Sequence, residues 1–304
     1  MQAIFAFDLV GRKNFANAEK NLTNSIQDFY KLFLYLFSIL PELKRYREKK
    51  IENLKEKLNP SEEDLNPNRK FINNLVIAQI EENSTLKKLL ESYKISWENH
   101  PDLIVSIYNE MIKSDFFETY MANRTQNYEE DKRFVLQIIA TTFANSELLH
   151  WFLSEQNVHW TNDYNDALLM LYRNIEIFKE SHGNTTKIFP LWKDEIEDKK
   201  FYKDLFLKTT TKDSEYQEII EKKLQNWDFD RLINIDIILI KMAICELLEF
   251  PTIPIKVTLN EYIELAKNYS SNKSGTFVNG MLDKIIADFR NEDKIKKIGR
   301  GLIN

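Results

Sequence analysis

Six glycines and seven prolines in 304 residues leave this chain few places to turn. Glycine supplies left-handed backbone and proline interrupts helical hydrogen bonding, so a chain this poor in both favours long helices over hairpins. No period-two alternation bounded by turn residues survives along the sequence, whereas apolar residues recur repeatedly at helical spacing. The fold class expected is therefore all-α. At 43% hydrophobic residues the chain can bury a large core, in two domains or one elongated one.

The periodicity predicts a first helix over 2–10, where Ile4, Phe5, Phe7 and Leu9 are too densely apolar for a solvent-facing start, with Gly11 as its stop. A very long pattern follows over 16–58, with a kink expected at Pro41 and a charged, solvated face beyond it. Two prolines and three asparagines make 59–68 the clearest loop of the first half. Helical patterns then cover 70–81, 85–93, 102–114, 128–155 and 163–179, with a turn at 181–184. The pattern resumes from Glu195, and Ser214 with Gln217 reads as a capping box. Three helices, 231–249, 255–269 and 277–290, close the fold. The first is apolar nearly all round, which marks a central buried helix. Three regions are expected: 1–202, 203–290 and a basic tail, 291–304.

Composition excludes several classes. A single cysteine, Cys245, rules out an internal disulfide framework and a cysteine-rich zinc site, and a reducing cytoplasm fits. The apolar run 3–7 is interrupted by Asp8 with no basic residue before it, unlike a targeting leader. The longest apolar run, 32–40, is about half a bilayer span, so no membrane association is expected. That run could close a second bundle or form a homodimer contact. The net charge of −5 argues against non-specific nucleic-acid binding by a global field. Residues 251–304, however, carry nine basic against six acidic side chains, and a polyanion would prefer that end.

Few motifs suggest chemistry. His100-Pro101-Asp102 matches the tripeptide of J-domain co-chaperones, but the basic helix expected before it is absent, and Asp102 reads as a helix cap. The histidines at 100, 150, 159 and 182 lie far apart, and the glycines are too scattered for a phosphate loop or dinucleotide fingerprint. No metal, no cofactor and no enzymatic activity are expected. Trp151, Trp160, Trp192 and Trp227 sit among apolar neighbours and read as packing residues.

The stretch Phe277-Val278-Asn279-Gly280-Met281-Leu282-Asp283 is different, because no packing rule asks for Phe, Asn and Gly in that order at the start of an apolar helix. Packing still offers a reading of each. Phe277 and Val278 could staple the helix, Asn279 could satisfy a buried backbone group, and Gly280 could admit a close neighbour.

Taken together, residues 227–232 (WDFDRL), 236–247 (DIILIKMAICEL), 253–254, 257–261 and the FVNGMLDKI stretch resemble, in order and spacing, the NusB family of transcription antitermination factors. Gln2-Ala3-Ile4-Phe5-Ala6-Phe7 is similar to that family's first helix, and residues 14–202 resemble its long variants. The resemblance implies an all-helical two-bundle fold. It also implies binding of boxA RNA as a heterodimer with the ribosomal protein that acts as NusE, within the RNA polymerase antitermination complex. By position it assigns RNA contact to Phe277, with Lys273, Thr276 and Asn279 nearby and with Gln2 and Phe5 on the first helix. Asp236 and Lys241 would lie near the protein partner. The family's arginine-rich element lies just before the first helix, so an upstream start is expected. Cys245 stands where the family commonly has Tyr, and Thr276 where it often has a basic residue. A NusB-like domain of an RNA methyltransferase, or a helical interaction module without RNA binding, are the alternatives.

Overall fold

In a computed structural model of the chain, residues 1–125, 127–224, 234–271 and 273–302 are described. Among them there are fifteen α-helices and no strand. The helices are α1 (Gln2–Leu9), α2 (Phe15–Lys55), α3 (Glu62–Leu65), α4 (Leu75–Glu82), α5 (Ser84–Ser92), α6 (Pro101–Met111), α7 (Asp115–Ala122) and α8 (Tyr128–Gln137). After these come α9 (Glu147–Gln156), α10 (Trp160–Glu176), α11 (Glu195–Thr211), α12 (Asp213–Glu221), α13 (Asn234–Glu249), α14 (Ile255–Tyr269) and α15 (Ser274–Asn291).

Two compact units result, one of residues 1–23 with 192–304 and the other of residues 24–191. This differs from the expected boundary at 202/203, which falls inside α11. The reason lies in the first helix. Ile4 and Phe7, one turn apart, bury into the core built by α11 to α15, and the Phe7 ring packs on Phe15 and Phe206 at 5.9 and 5.8 Å. Gly11, at φ +68°, ends α1 as its position suggested, and the Arg12 N–H returns to the Phe7 carbonyl at 2.9 Å.

In the unit of residues 24–191, α2 supplies the central apolar stripe, with Phe33, Phe37 and Leu40 fully buried. The helix continues through Pro41. Short helices wrap this core, most of them started by a side chain that the periodicity alone underweights. Asn74 accepts from the N–H groups of Val76 and Ile77, so α4 starts at Leu75 and not at Lys70. The expected single helix over 128–155 is broken. It passes into a π-helical segment, Ile138–Phe143, and α9 restarts under a Ser146 cap. The 59–68 loop contains α3, which starts with a capping box between Ser61 and Asp64. Ser214 forms none, because α12 starts at Asp213 under an uncapped Lys212. Trp160 is buried as expected, but Trp151 is 61% exposed.

In the other unit, α13 is buried on every side, as its all-round apolarity predicts. Cys245 lies on it, fully buried, and burial pushes its thiol above the usual value. The basic tail is docked onto this unit. The Ile298 N–H donates to the Pro251 carbonyl at 2.9 Å, and Lys297 Nζ caps the end of α13 at the Phe250 carbonyl, 3.0 Å away. Gly301 is buried there, where a Cβ would stand 2.1 Å from the Pro251 oxygen.

Candidate nucleic-acid interface

The first turn of α15 is set by serines. The Ser274 N–H donates to the Ser271 carbonyl at 2.9 Å, and the Ser271 N–H donates back to Ser274 Oγ at 3.1 Å. That reciprocal pair starts the helix at Ser274, three residues before the expected Phe277. The Ser274 hydroxyl also donates to Asp236 Oδ2 at 2.8 Å. Asp236, in the first turn of α13, is 4% exposed, and its Oδ1 has no hydrogen-bond partner among the described residues.

The earlier start fixes which side chains share a face. Positions three and four apart are neighbours on a helix, so Lys273, Thr276, Phe277 and Gly280 line one side of the first two turns. Lys273, Thr276 and Gly280 are exposed, and Phe277 is half-buried against the core of its own unit. Gly280 does not admit a close neighbour, since a Cβ there would meet nothing within 4 Å. The close approach belongs to Gly275, whose Cβ would come 2.8 Å from Lys267 Cγ on α14. Gly280 therefore leaves bare helix backbone beside the Phe277 ring. Asn279 does not serve a buried backbone group either; its Nδ2 donates to Asp283 Oδ2 at 3.2 Å along its own helix. On α1, Gln2 is exposed and Phe5 is half-buried against the same apolar core that receives Phe277.

Lys241 and Asp236, expected at a protein partner, are both buried, because every side of α13 faces another helix. Lys241 is 8% exposed, and its Nζ donates to Asp213 Oδ1 at 2.6 Å. Asp213, the first residue of α12, also meets the Arg12 guanidinium at 2.8 Å, and Arg12 holds Asp8 at 2.7 Å. Burial raises the Asp213 carboxyl, but Arg12 and Lys241 outweigh it and hold the group below the usual carboxylate value. The turn after α1 is thus tied to α12 and α13. Sequence reasoning missed Arg12 and Asp213. The available signal was Lys241 itself, since a lysine in an otherwise apolar helix demands an acidic partner.

The tail adds less positive field than its composition suggests. Lys294 pairs with Glu292 and Lys296 with Asp293, while Lys297 is committed to backbone carbonyls. Segment 227–232, part of the family resemblance, lies outside the described residues. Among the described residues no cluster of side chains could hold a metal ion, and no helix is long and apolar enough to cross a membrane.

Comparison with known proteins places the α15 part of this site within a matched region. The NusB family model matches residues 167–287. The chain is similar to the transcription antitermination protein NusB of Salinibacter ruber, 47% identical over 103 residues, which cover 34% of this chain and 64% of that one. It is also similar to the protein of that name from Dictyoglomus turgidum, at 39% over 104 residues (34% and 63%), and from Chloroherpeton thalassium, at 42% over 85 residues (28% and 40%). The chain thus spans less than two thirds of the length of each of these relatives. No solved structure matches it. Residues 167–287 thus match the NusB family model, and it is over this part that the chain is similar to NusB proteins.

Proposed function

We propose that the chain is a non-catalytic transcription antitermination factor that binds boxA-type RNA together with the ribosomal protein that acts as NusE. The observation that carries this reading is the face of Lys273, Thr276, Phe277 and Gly280 at the start of α15, inside the matched domain. Single-stranded RNA is read by aromatic stacking, by hydrogen bonds to exposed base edges and by phosphate contacts, and this face offers groups for each. Phe277 supplies a ring, Lys273 a phosphate-binding charge and Thr276 a hydroxyl. Gly280 lets a nucleotide lie against the helix without meeting a side chain. Gln2 and Phe5 on α1 extend the RNA contacts, and Asn279 adds an amide at the edge. Asp236 and Lys241 act from beneath, the first by fixing the start of α15 and the second by holding α12 and the turn after α1.

The test is binding of boxA RNA, with the purified ribosomal partner, against a permuted RNA of equal composition. A clear preference for boxA is expected, and equal binding of both RNAs at low salt would end this reading. Gly280→Ala sharpens the test. Alanine in an exposed helix interior should raise stability by roughly 1 kcal/mol. The same methyl group should lower boxA affinity several-fold, a combination that a purely structural glycine would not give.

A further inference from the structure

The unit of residues 24–191 has a groove of about 870 Å³ running along the second half of α2, with α4, α5 and the start of α6 as its other wall. On α2 the lining residues recur every three to four positions from Ser38 through Tyr46 to Leu54. At 1.5 Å per residue, that stripe is about 24 Å long. A linear ligand fits such a shape better than a compact one.

The groove's chemistry has two parts. Its half-buried wall is aliphatic, with Leu54, Leu90, Ile95 and Val105 open to the groove above a buried floor that includes Ile80 and Ile104. Its rim is basic, with Arg45, Lys49, Lys50, Lys57 and Lys87, of which Lys57 is paired with Asp64 at 3.2 Å. Three acids also line it, Glu42, Glu81 and Glu98. Glu81 is already held by Lys44 and Arg45, and Glu42 by Arg45. Lys49 and Lys87 have no ion-pair partner among the described residues, and Lys50 lies over the Tyr46 and Tyr108 rings at 5.9 and 5.5 Å. In a chain of net charge −5, this concentration of uncompensated lysine is local.

A single-stranded nucleic acid and an acidic helix are both linear and negatively charged, and the aromatic residues decide between them. Base stacking needs an open ring face. Tyr46 packs against Tyr108 at 5.0 Å under Lys50, and Trp97 is buried, with Nε1 donating to Ser38 Oγ at 2.8 Å. No ring face is offered to a base, whereas aliphatic side chains between basic rims suit a helix with apolar residues at i, i+3, i+4 and i+7 and acids on its flanks.

We propose that this groove docks an acidic amphipathic helix of a partner protein. The site is separate from the RNA reading and does not depend on it. The rim lysines set on-rate and salt sensitivity, and the aliphatic wall supplies the buried area.

The experiment displays a random 20-residue peptide library against the full chain, with counter-selection on Lys49→Glu/Lys87→Glu. Both side chains are exposed, so the charge-reversed protein should keep its circular dichroism spectrum. Enriched peptides are expected to be acidic and helically patterned. They should bind the variant at least tenfold more weakly, weaken likewise with Leu54→Gln, and lose affinity as salt rises. Failure to enrich any peptide that depends on these lysines would overturn the proposal. So would enrichment of neutral or basic sequences, or displacement of the selected peptides by a ten-nucleotide single-stranded RNA.

Discussion

Asp213→Ala should destabilise the 1–23/192–304 unit by about 3 kcal/mol, because it leaves Lys241 charged and buried with its partner removed. The same carboxylate is the anchor of Arg12, so the turn after α1 loses its tie to α12 at the same moment. A lower urea midpoint at unchanged slope is the expected readout. The pH dependence has a definite sign. The folded carboxyl is held below its usual value by Arg12 and Lys241 against the opposing effect of burial, so the unfolded state binds more protons in acid. Its stabilisation is full above the unfolded carboxylate range, around pH 4, and is lost as pH falls through the lower folded value. In Asp213→Ala that part of the acid sensitivity should vanish. Lys241→Met, which removes the buried charge along with its link to Asp213, should cost less than Asp213→Ala. If the two variants lose equal stability, the buried-charge account of Asp213 fails.

Phe277→Ala should weaken boxA binding by roughly 5- to 150-fold, the range that corresponds to the loss of one base–aromatic stack worth about 1–3 kcal/mol. Because Phe277 is half-buried against the core, the same change also costs stability, and alanine alone cannot separate the two effects. Phe277→Leu separates them. Leucine retains much of the apolar contact, so the folded state should hold while RNA affinity falls nearly as far as in the alanine variant. RNA binding unaffected by leucine would return Phe277 to the role of a helix staple. Lys273→Ala provides the contrast. A phosphate contact carries no base information, so affinity should drop uniformly across RNA sequences and the salt slope should shrink by about 0.7.

The helices were readable because burial repeats at 3.6 residues, and α13 declared its central place by being apolar all round. Their ends were less readable. Asn74, Ser146 and the Ser271–Ser274 pair start helices through one or two local hydrogen bonds that hydrophobic periodicity does not register. Of the face proposed for RNA, Phe277, Lys273 and Thr276 were legible through the family resemblance, but its geometry and the place of Gly280 in it were not. Only the start at Ser274 brings Lys273 and Thr276 alongside Phe277. The close approach expected at Gly280 falls instead at Gly275, since sequence shows which glycines a helix contains and not which of them faces a neighbour. The Arg12–Asp213–Lys241 set was hidden for a simpler reason. It joins residues about 200 positions apart, and no local pattern encodes that.

The division of the chain also has a consequence in time. The unit that carries α1 is completed only by residues from 192 onward, so α1 leaves the ribosome well before the helices it packs against. At synthesis rates of about 5–20 residues per second, Ile4 and Phe7 wait on the order of 10–40 seconds for α11 to emerge. Residues 24–191 have their own apolar core and can fold within that interval. A nascent α1 therefore carries two large apolar side chains that have no core to enter until α11 and the helices after it have been made.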